Sequence, residues 1–117
     1  MNVRAPARSS VGAEEALELK AKLFRGLAEP SRLALLEALR DGERSVGDLV
    51  EATGLSQANA SAHLACLRDC GLVTSRSEGR FVYYRVAGRE VERMLAHADG
   101  TVAALAERIA ACANYRR

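Results

Sequence analysis

The chain has 117 residues, of which 49 % are hydrophobic and 27 % charged, and its formal net charge is +2. That length supports one domain with a modest core, and dimerisation would add to its stability. No apolar run approaches the ~20 residues of a membrane span, and the amino-terminal stretch has no signal-peptide core, so a cytoplasmic location without a membrane partner is expected.

Residues 1–13, with Arg4, Pro6 and Arg8, read as a flexible basic tail, and residues 14–117 as the folded domain. A first helix is expected from Glu14 to Ala28, with Leu17, Leu19, Leu23, Phe24 and Leu27 supplying its apolar residues. Pro30 opens a second helix, driven by Leu33, Leu35, Leu36 and Leu39 to Arg40 and stopped by Asp41-Gly42. Ser45 caps a short third helix that Gly54 ends. Ser56 caps a fourth, from Gln57 to about Cys70, closed by Gly71. Leu72 to Arg76 and Phe81 to Val86 form a β-hairpin around Ser77-Glu78-Gly79-Arg80. A last helical region runs from Arg89 to Asn114, with a break expected near Asp99-Gly100.

Two short helices joined by a glycine-containing turn, then a hairpin, is the order of a winged helix-turn-helix. The fold class is therefore mainly α with a β-hairpin wing, and the fourth helix is the one that enters a major groove. At 100° per residue, Ala60, Leu64 and Leu67 form its buried stripe. The opposite arc carries Ala58, Ser61, Ala62 and Ala65 beside Gln57, with Asn59 and His63 on the other flank. Small or uncharged polar side chains let a helix approach base edges; Gln57 has the chemistry to pair with adenine, and Ser61 with several bases. On the wing, Arg76, Arg80 and Arg85 are candidate phosphate ligands. Charge is distributed in the same sense: six basic against nine acidic residues from Glu14 to Thr53, but four basic against two acidic from Ser56 to Arg85.

Three cysteines, an odd number, argue against a disulfide framework in a reducing compartment and leave the thiols as small buried hydrophobes or as chemical groups. Cys66 and Cys70 stand at i and i+4, one turn apart beside the core stripe, where two thiolates can grip one ion. Cys112 continues an apolar stripe of Val102, Leu105 and Ile109 and reads equally as a hydrophobe in an interface.

Leu27-Ala28-Glu29-Pro30-Ser31-Arg32-Leu33, the run from Leu55 to Leu64, and Leu67-Arg68-Asp69-Cys70-Gly71-Leu72-Val73 resemble the ArsR/SmtB family of metal-sensing repressors, as does the hairpin Glu78 to Tyr84. The resemblance covers roughly residues 17 to 112. It implies a homodimer joined through the first and last helices, with the fourth helices in successive major grooves of double-stranded operator DNA. It also implies that metal-free protein binds the operator and that metal binding releases it. Gln57, Ala58, Ser61 and His63 match the recognition segment; Ala58, Ala60 and Ala62 depart from the larger residues of many members.

Cys66 to Val73 is similar to the cadmium/lead-sensing CmtR branch of that family, which takes two thiolates from this helix and a third from the C-terminal region of the other subunit. Cys112 lies where that third ligand is expected, although it reads as helical where the branch has a mobile tail. Cadmium or lead is the effector this implies, with zinc, mercury and arsenite chemically open. The family's Cys-x-Cys site would need thiols near Ser45 and Gly47, and its zinc site an Asp-x-His that His97 and Asp99 present in the wrong order. His63 is a candidate fourth ligand or a local hydrogen-bonding group. Two other classes compete. In a redox repressor, Cys66 and Cys70 are oxidised instead of metallated. In a thiol enzyme, His63 would serve a cysteine nucleophile, but no orienting residue, oxyanion hole or room for a small-molecule substrate is visible. A non-enzymatic, metal-responsive repressor is the expected function.

Overall fold

The computed structural model of the protein describes residues 12–115; the expected basic tail lies outside the described residues up to residue 11, and a helix already begins at Ala13. α1 spans Ala13–Leu27, with Glu14 and Glu15 complementing the positive end of its dipole. None of its residues is buried; Leu23 and Leu27 lean on the core while Leu17 and Phe24 face outward.

α2 spans Pro30–Ala38. Proline at its start loses no helical hydrogen bond, and the Glu29 carboxylate caps it by accepting from the Arg32 amide at 2.9 Å. The helix stops short of Arg40 because its last turn tightens. The Leu39 amide is shared between the Leu35 and Leu36 carbonyls, both at 3.1 Å, and the Arg40 amide reaches back only three residues, to the Glu37 carbonyl at 3.2 Å.

A two-residue strand absent from the sequence expectation, β1 (Arg44–Ser45), leads into α3 (Val46–Thr53). Ser45 and Asp48 close a reciprocal capping box, with bonds of 3.1 and 3.4 Å. Gly54 ends α3 at φ +77°, a left-handed turn that favours glycine.

α4 spans Gln57–Asp69, capped by the Ser56 hydroxyl accepting from the Asn59 amide. Its end is a Schellman motif: the Gly71 amide donates to the Arg68 carbonyl and the Leu72 amide to the Leu67 carbonyl, both at 2.9 Å, with Gly71 at φ +83°. Leu67 and Leu72 are both buried beneath this turn.

β2 (Val73–Glu78) and β3 (Phe81–Val86) pair antiparallel, and β1 adds to the far edge of β3, giving the order β1-β3-β2. The hairpin is tighter than expected. Glu78 pairs with Phe81, so only Gly79 and Arg80 form the turn, with Gly79 at φ +63°.

α5 (Arg89–Ala111) is unbroken through Gly100, contrary to the expected break, because one interior glycine costs only about 1 kcal/mol. It also ends before Asn114, which sits in a 3-10 turn, Ala113–Tyr115.

The core gathers Leu35, Leu36 and Leu39 of the α2 region, Leu49 of α3, Ala60, Leu64 and Leu67 of α4, then Leu72, Val73, Tyr84 and Val86 around the sheet. From α5 only Leu95 is buried. Among the described residues no polar or charged side chain is buried, and no helix is long and apolar enough to cross a membrane.

Candidate nucleic-acid interface and thiol site

The core fixes which way α4 points. With Ala60, Leu64 and Leu67 at 0 to 1 % exposure, the opposite face must look outward. Gln57, Ala58, Asn59, Ser61 and Ala62 are all exposed, so the expected reading surface is free over two turns. It carries no charged side chain and no long aliphatic one, a surface without the lysines and glutamates of an ordinary solvated helix.

His63 sits differently from that group. It is half-buried, with Nε2 at 3.9 Å from Oε1 of Glu29, the carboxylate that caps α2. The structure therefore places it against α2, and among the described residues of one protomer it forms no three-ligand group with Cys66 and Cys70. The Arg32 amide, then the charges of His63 and Arg32, hold the Glu29 carboxyl below its usual range.

On the wing, the three arginines differ. Arg80 occupies the turn, exposed and without an ion pair among the described residues. Arg85 reaches Thr74 Oγ1 at 3.4 Å. Arg76 is already committed. Its Nε and Nη2 donate to the two oxygens of Glu43 at 2.8 Å each, its Nη1 donates to Glu78 at 2.6 Å, and its guanidinium lies 4.8 Å from the centre of the Tyr83 ring. That cation in turn holds the Glu43 carboxyl below its ordinary value. The Glu78 half of this clasp follows from β2 continuing to Glu78, past the expected strand end at Arg76, because residues two apart on a strand share a face. Glu43, 33 positions away, was not legible in the sequence.

The thiols lie at the C-terminal ends of two helices. Cys66 lies exposed in the last turns of α4, and Cys70, also exposed, is the residue at its end. The Cys70 amide donates to the Cys66 carbonyl at 3.0 Å, so the two remain one helical turn apart. The Schellman turn after Cys70 holds that end in place. Cys112 was expected to be helical; it instead stands just past α5 with extended backbone, φ −74° and ψ 115°, and is half-buried. The helix stops there because the Cys112 amide reaches back only to Ile109, at 3.2 Å. Within one protomer, no three His, Cys, Asp or Glu side chains among the described residues are grouped to hold a metal ion. Cys66 and Cys70 are brought together, and Cys112 is not brought to them.

Sequence comparison agrees with this architecture. The model for bacterial regulatory proteins of the arsR family matches residues 29–75, from the cap of α2 into β2. The chain is 45 % identical over 71 residues to a probable mercury resistance operon repressor of Streptomyces lividans, covering 61 % of this chain and 57 % of that protein. It is 47 % identical over 75 residues to the HTH-type transcriptional regulator CmtR of Mycobacterium tuberculosis, covering 64 % of each. Both alignments thus span less than two thirds of the curated relative. Among solved structures, a homodimeric winged helix-turn-helix DNA-binding domain from Mycobacterium bovis, described as a possible ArsR-family regulator, superposes with a TM-score of 0.73 at 35 % identity, over 86 % of this chain and 95 % of that one. These relatives are transcriptional regulators and not enzymes. With its helix-turn-helix, wing and flanking helices all in the corresponding order, the chain belongs to the ArsR family of bacterial regulatory proteins.

Proposed function

We propose that this protein is a transcriptional repressor that binds operator DNA as a homodimer and is released when a soft metal ion is held by Cys66, Cys70 and Cys112. The observation that carries the metal reading is the pair of exposed thiols, one turn apart at the fixed end of the reading helix. Two thiolates at that spacing suit one ion, and sulfur donors select soft ions over Mg²⁺ or Ca²⁺. Among the described residues one protomer brings no third donor to the pair, so in this reading Cys112 comes from the second subunit, as the likeness to CmtR suggests. Cadmium or lead is the effector favoured by the likeness to CmtR; the likeness to the mercury repressor keeps mercury in the same donor set.

Dimerisation is supported by the apolar surface that one protomer leaves open. Leu17 and Phe24 of α1 and Val102, Leu105 and Ile109 of α5 are 45 to 68 % exposed. Beside them, Phe24, Leu27 and Leu33 face Met94, Ala98 and Val102 across an open apolar groove. A second copy covering these faces would bury them. DNA is read by Gln57, Ala58, Asn59, Ser61 and Ala62, with His63 steadying the helix against α2 and Arg80 reaching a phosphate from the wing.

In this account Cys66 and Cys70 at the end of α4 and Cys112 just past the other subunit's α5 would hold the ion, which would supply a crosslink between the two subunits. The chain's own residues do the rest: the Schellman turn fixes Cys70, and α4 transmits any rotation at that end directly to Gln57 and Ser61. A coupling of about 1–3 kcal/mol would change operator affinity roughly 5- to 150-fold, and DNA must weaken metal binding by the same factor.

An ultraviolet titration of reduced protein with cadmium, with a labelled promoter duplex present, tests the reading. An intense thiolate-to-metal band that saturates at one ion per subunit as DNA is released supports it, as does loss of the band in Cys66→Ser and Cys70→Ser. Full DNA occupancy with no band contradicts it. The exposure of both α4 thiols also suits oxidation. Release of DNA by mild peroxide, with a mass shift on Cys66 or Cys70 and no metal response, would establish the redox reading instead.

A further inference from the structure

The wing hangs from the rest of the DNA-reading unit by little backbone. β1 supplies only Arg44 and Ser45, paired with Tyr84 and Tyr83. Tyr83 is also the cross-strand partner of Arg76, so Ser45, Tyr83 and Arg76 make one row across the sheet. Ser45 is at the same time the cap of α3. The fork between Arg76 and Glu43 runs over this row, from the edge strand β2 across β3 to the segment just before β1.

We propose that Arg76 is not a phosphate ligand but the positioning residue that sets the angle of the wing against the helix-turn-helix, with Glu43 as its fixed counterpart. The inference rests on the DNA-binding function proposed above. Three features carry it. A bidentate fork fixes both distance and direction, which a point charge does not. Nη1 donates to Glu78 and Tyr83 lies beneath the guanidinium, so each of the three nitrogens has a carboxylate partner and one face is covered. Two carboxylates on one guanidinium also leave the trio with a net negative charge; moving Arg76 to a phosphate would take from both carboxylates the cation they hydrogen-bond, beside a polyanion. Arg80, exposed at the turn, carries no such engagement.

The two roles give opposite signs at Glu43 and different salt slopes at Arg76. Binding of a duplex from the protein's own promoter is measured over a potassium chloride series for wild type, Arg76→Gln, Arg76→Lys, Glu43→Gln and Arg80→Gln. A lost phosphate contact lowers the slope of log affinity against log salt by about 0.9. That drop is expected for Arg80→Gln alone. Arg76→Gln, Arg76→Lys and Glu43→Gln are expected to weaken operator binding about threefold with the slope unchanged and with affinity for random-sequence DNA preserved. Were Arg76 a phosphate ligand, Arg76→Gln would lower the slope as Arg80→Gln does, Arg76→Lys would retain it, and Glu43→Gln, freeing the cation, would tighten binding. Any of these overturns the proposal. Amide exchange in the free protein gives a second readout. Faster exchange at Ser45 and Tyr83 in Arg76→Gln and Glu43→Gln is expected, and unchanged exchange would refute the brace. A wild type that binds no DNA would sink the proposed function, and the exchange result would still decide the role of Arg76.

Discussion

The stretch from Leu35 to Val86 holds eleven of the twelve buried core residues, whereas α1 and α5, with 15 and 23 residues, contribute only Leu95. Local signals are divided in the same way. α2, α3 and α4 each begin with a side chain accepting a backbone N–H, from Glu29, Ser45 and Ser56. α1 and α5 begin at Gly12 and Gly88 with no side-chain cap. The Cα radius of gyration is 16.0 Å, against about 13 Å for a compact chain of this length. The central unit is therefore completed by its own chain, while the outer helices leave apolar surface exposed, which the proposed second copy would cover. This division places the proposed reading helix and the proposed dimer surface in different elements, joined at α5 by Leu95 and an ion pair between Arg40 and Asp99 at 2.8 Å.

That contrast can be broken by substitution. The largest effect is expected in the central core. Leu64→Ala should cost about 2–5 kcal/mol in urea unfolding, because a fully buried leucine leaves a cavity. Leu105→Glu, on the open face of α5, should leave the central unit folded but convert the dimer to monomer in sedimentation velocity. A folded dimer after that change would show that α5 is not the interface. Gly71→Ala should cost about 1 kcal/mol, since its φ of +83° disfavours a Cβ even though nothing lies within 4 Å of it. It should also loosen Cys70 and weaken metal binding, which sharpens the claim that the Schellman turn holds the thiol.

A smaller effect follows acidification. Glu29 and Glu43 both have carboxyls held below their ordinary range, by the Arg32 amide and by the Arg76 guanidinium respectively. A depressed carboxylate stabilises the fold above its unfolded value, and that contribution disappears as pH falls through the lower folded value. The urea midpoint should therefore decline below the usual carboxylate range, and Glu43→Gln should flatten that decline. A midpoint equally sensitive to acid in Glu43→Gln would show that the clasp with Arg76 adds nothing.

Much of the central unit was legible in the sequence because its determinants are local. Pro30, Ser45, Gly54, Ser56 and Gly71 mark boundaries through backbone chemistry within a few residues of themselves. The buried stripe of Ala60, Leu64 and Leu67 follows from helical periodicity alone, and with it the outward face of Gln57 and Ser61. What was not legible depends on partners far apart in sequence. β1 exists only because Arg44 and Ser45 meet Tyr84 and Tyr83, and the engagement of Arg76 depends on Glu43. The end of α5 was misjudged because alanine-rich sequence carries no stop signal near Cys112. The thiol pair was visible from its spacing, whereas the separation of Cys112 from it within one protomer belongs to tertiary structure.

The central claim is that the metal site is shared between two subunits. The direct test mixes two inactive chains, Cys112→Ser and the double variant Cys66→Ser/Cys70→Ser, and titrates the exchanged mixture with cadmium while following the thiolate band and promoter release. Each variant alone lacks a complete set of three thiolates. Shared ligation predicts that mixing restores part of the full band and part of the metal-dependent DNA release, because each mixed dimer contains one complete site. A mixture whose band and DNA response equal the average of the two variants measured separately would contradict the account.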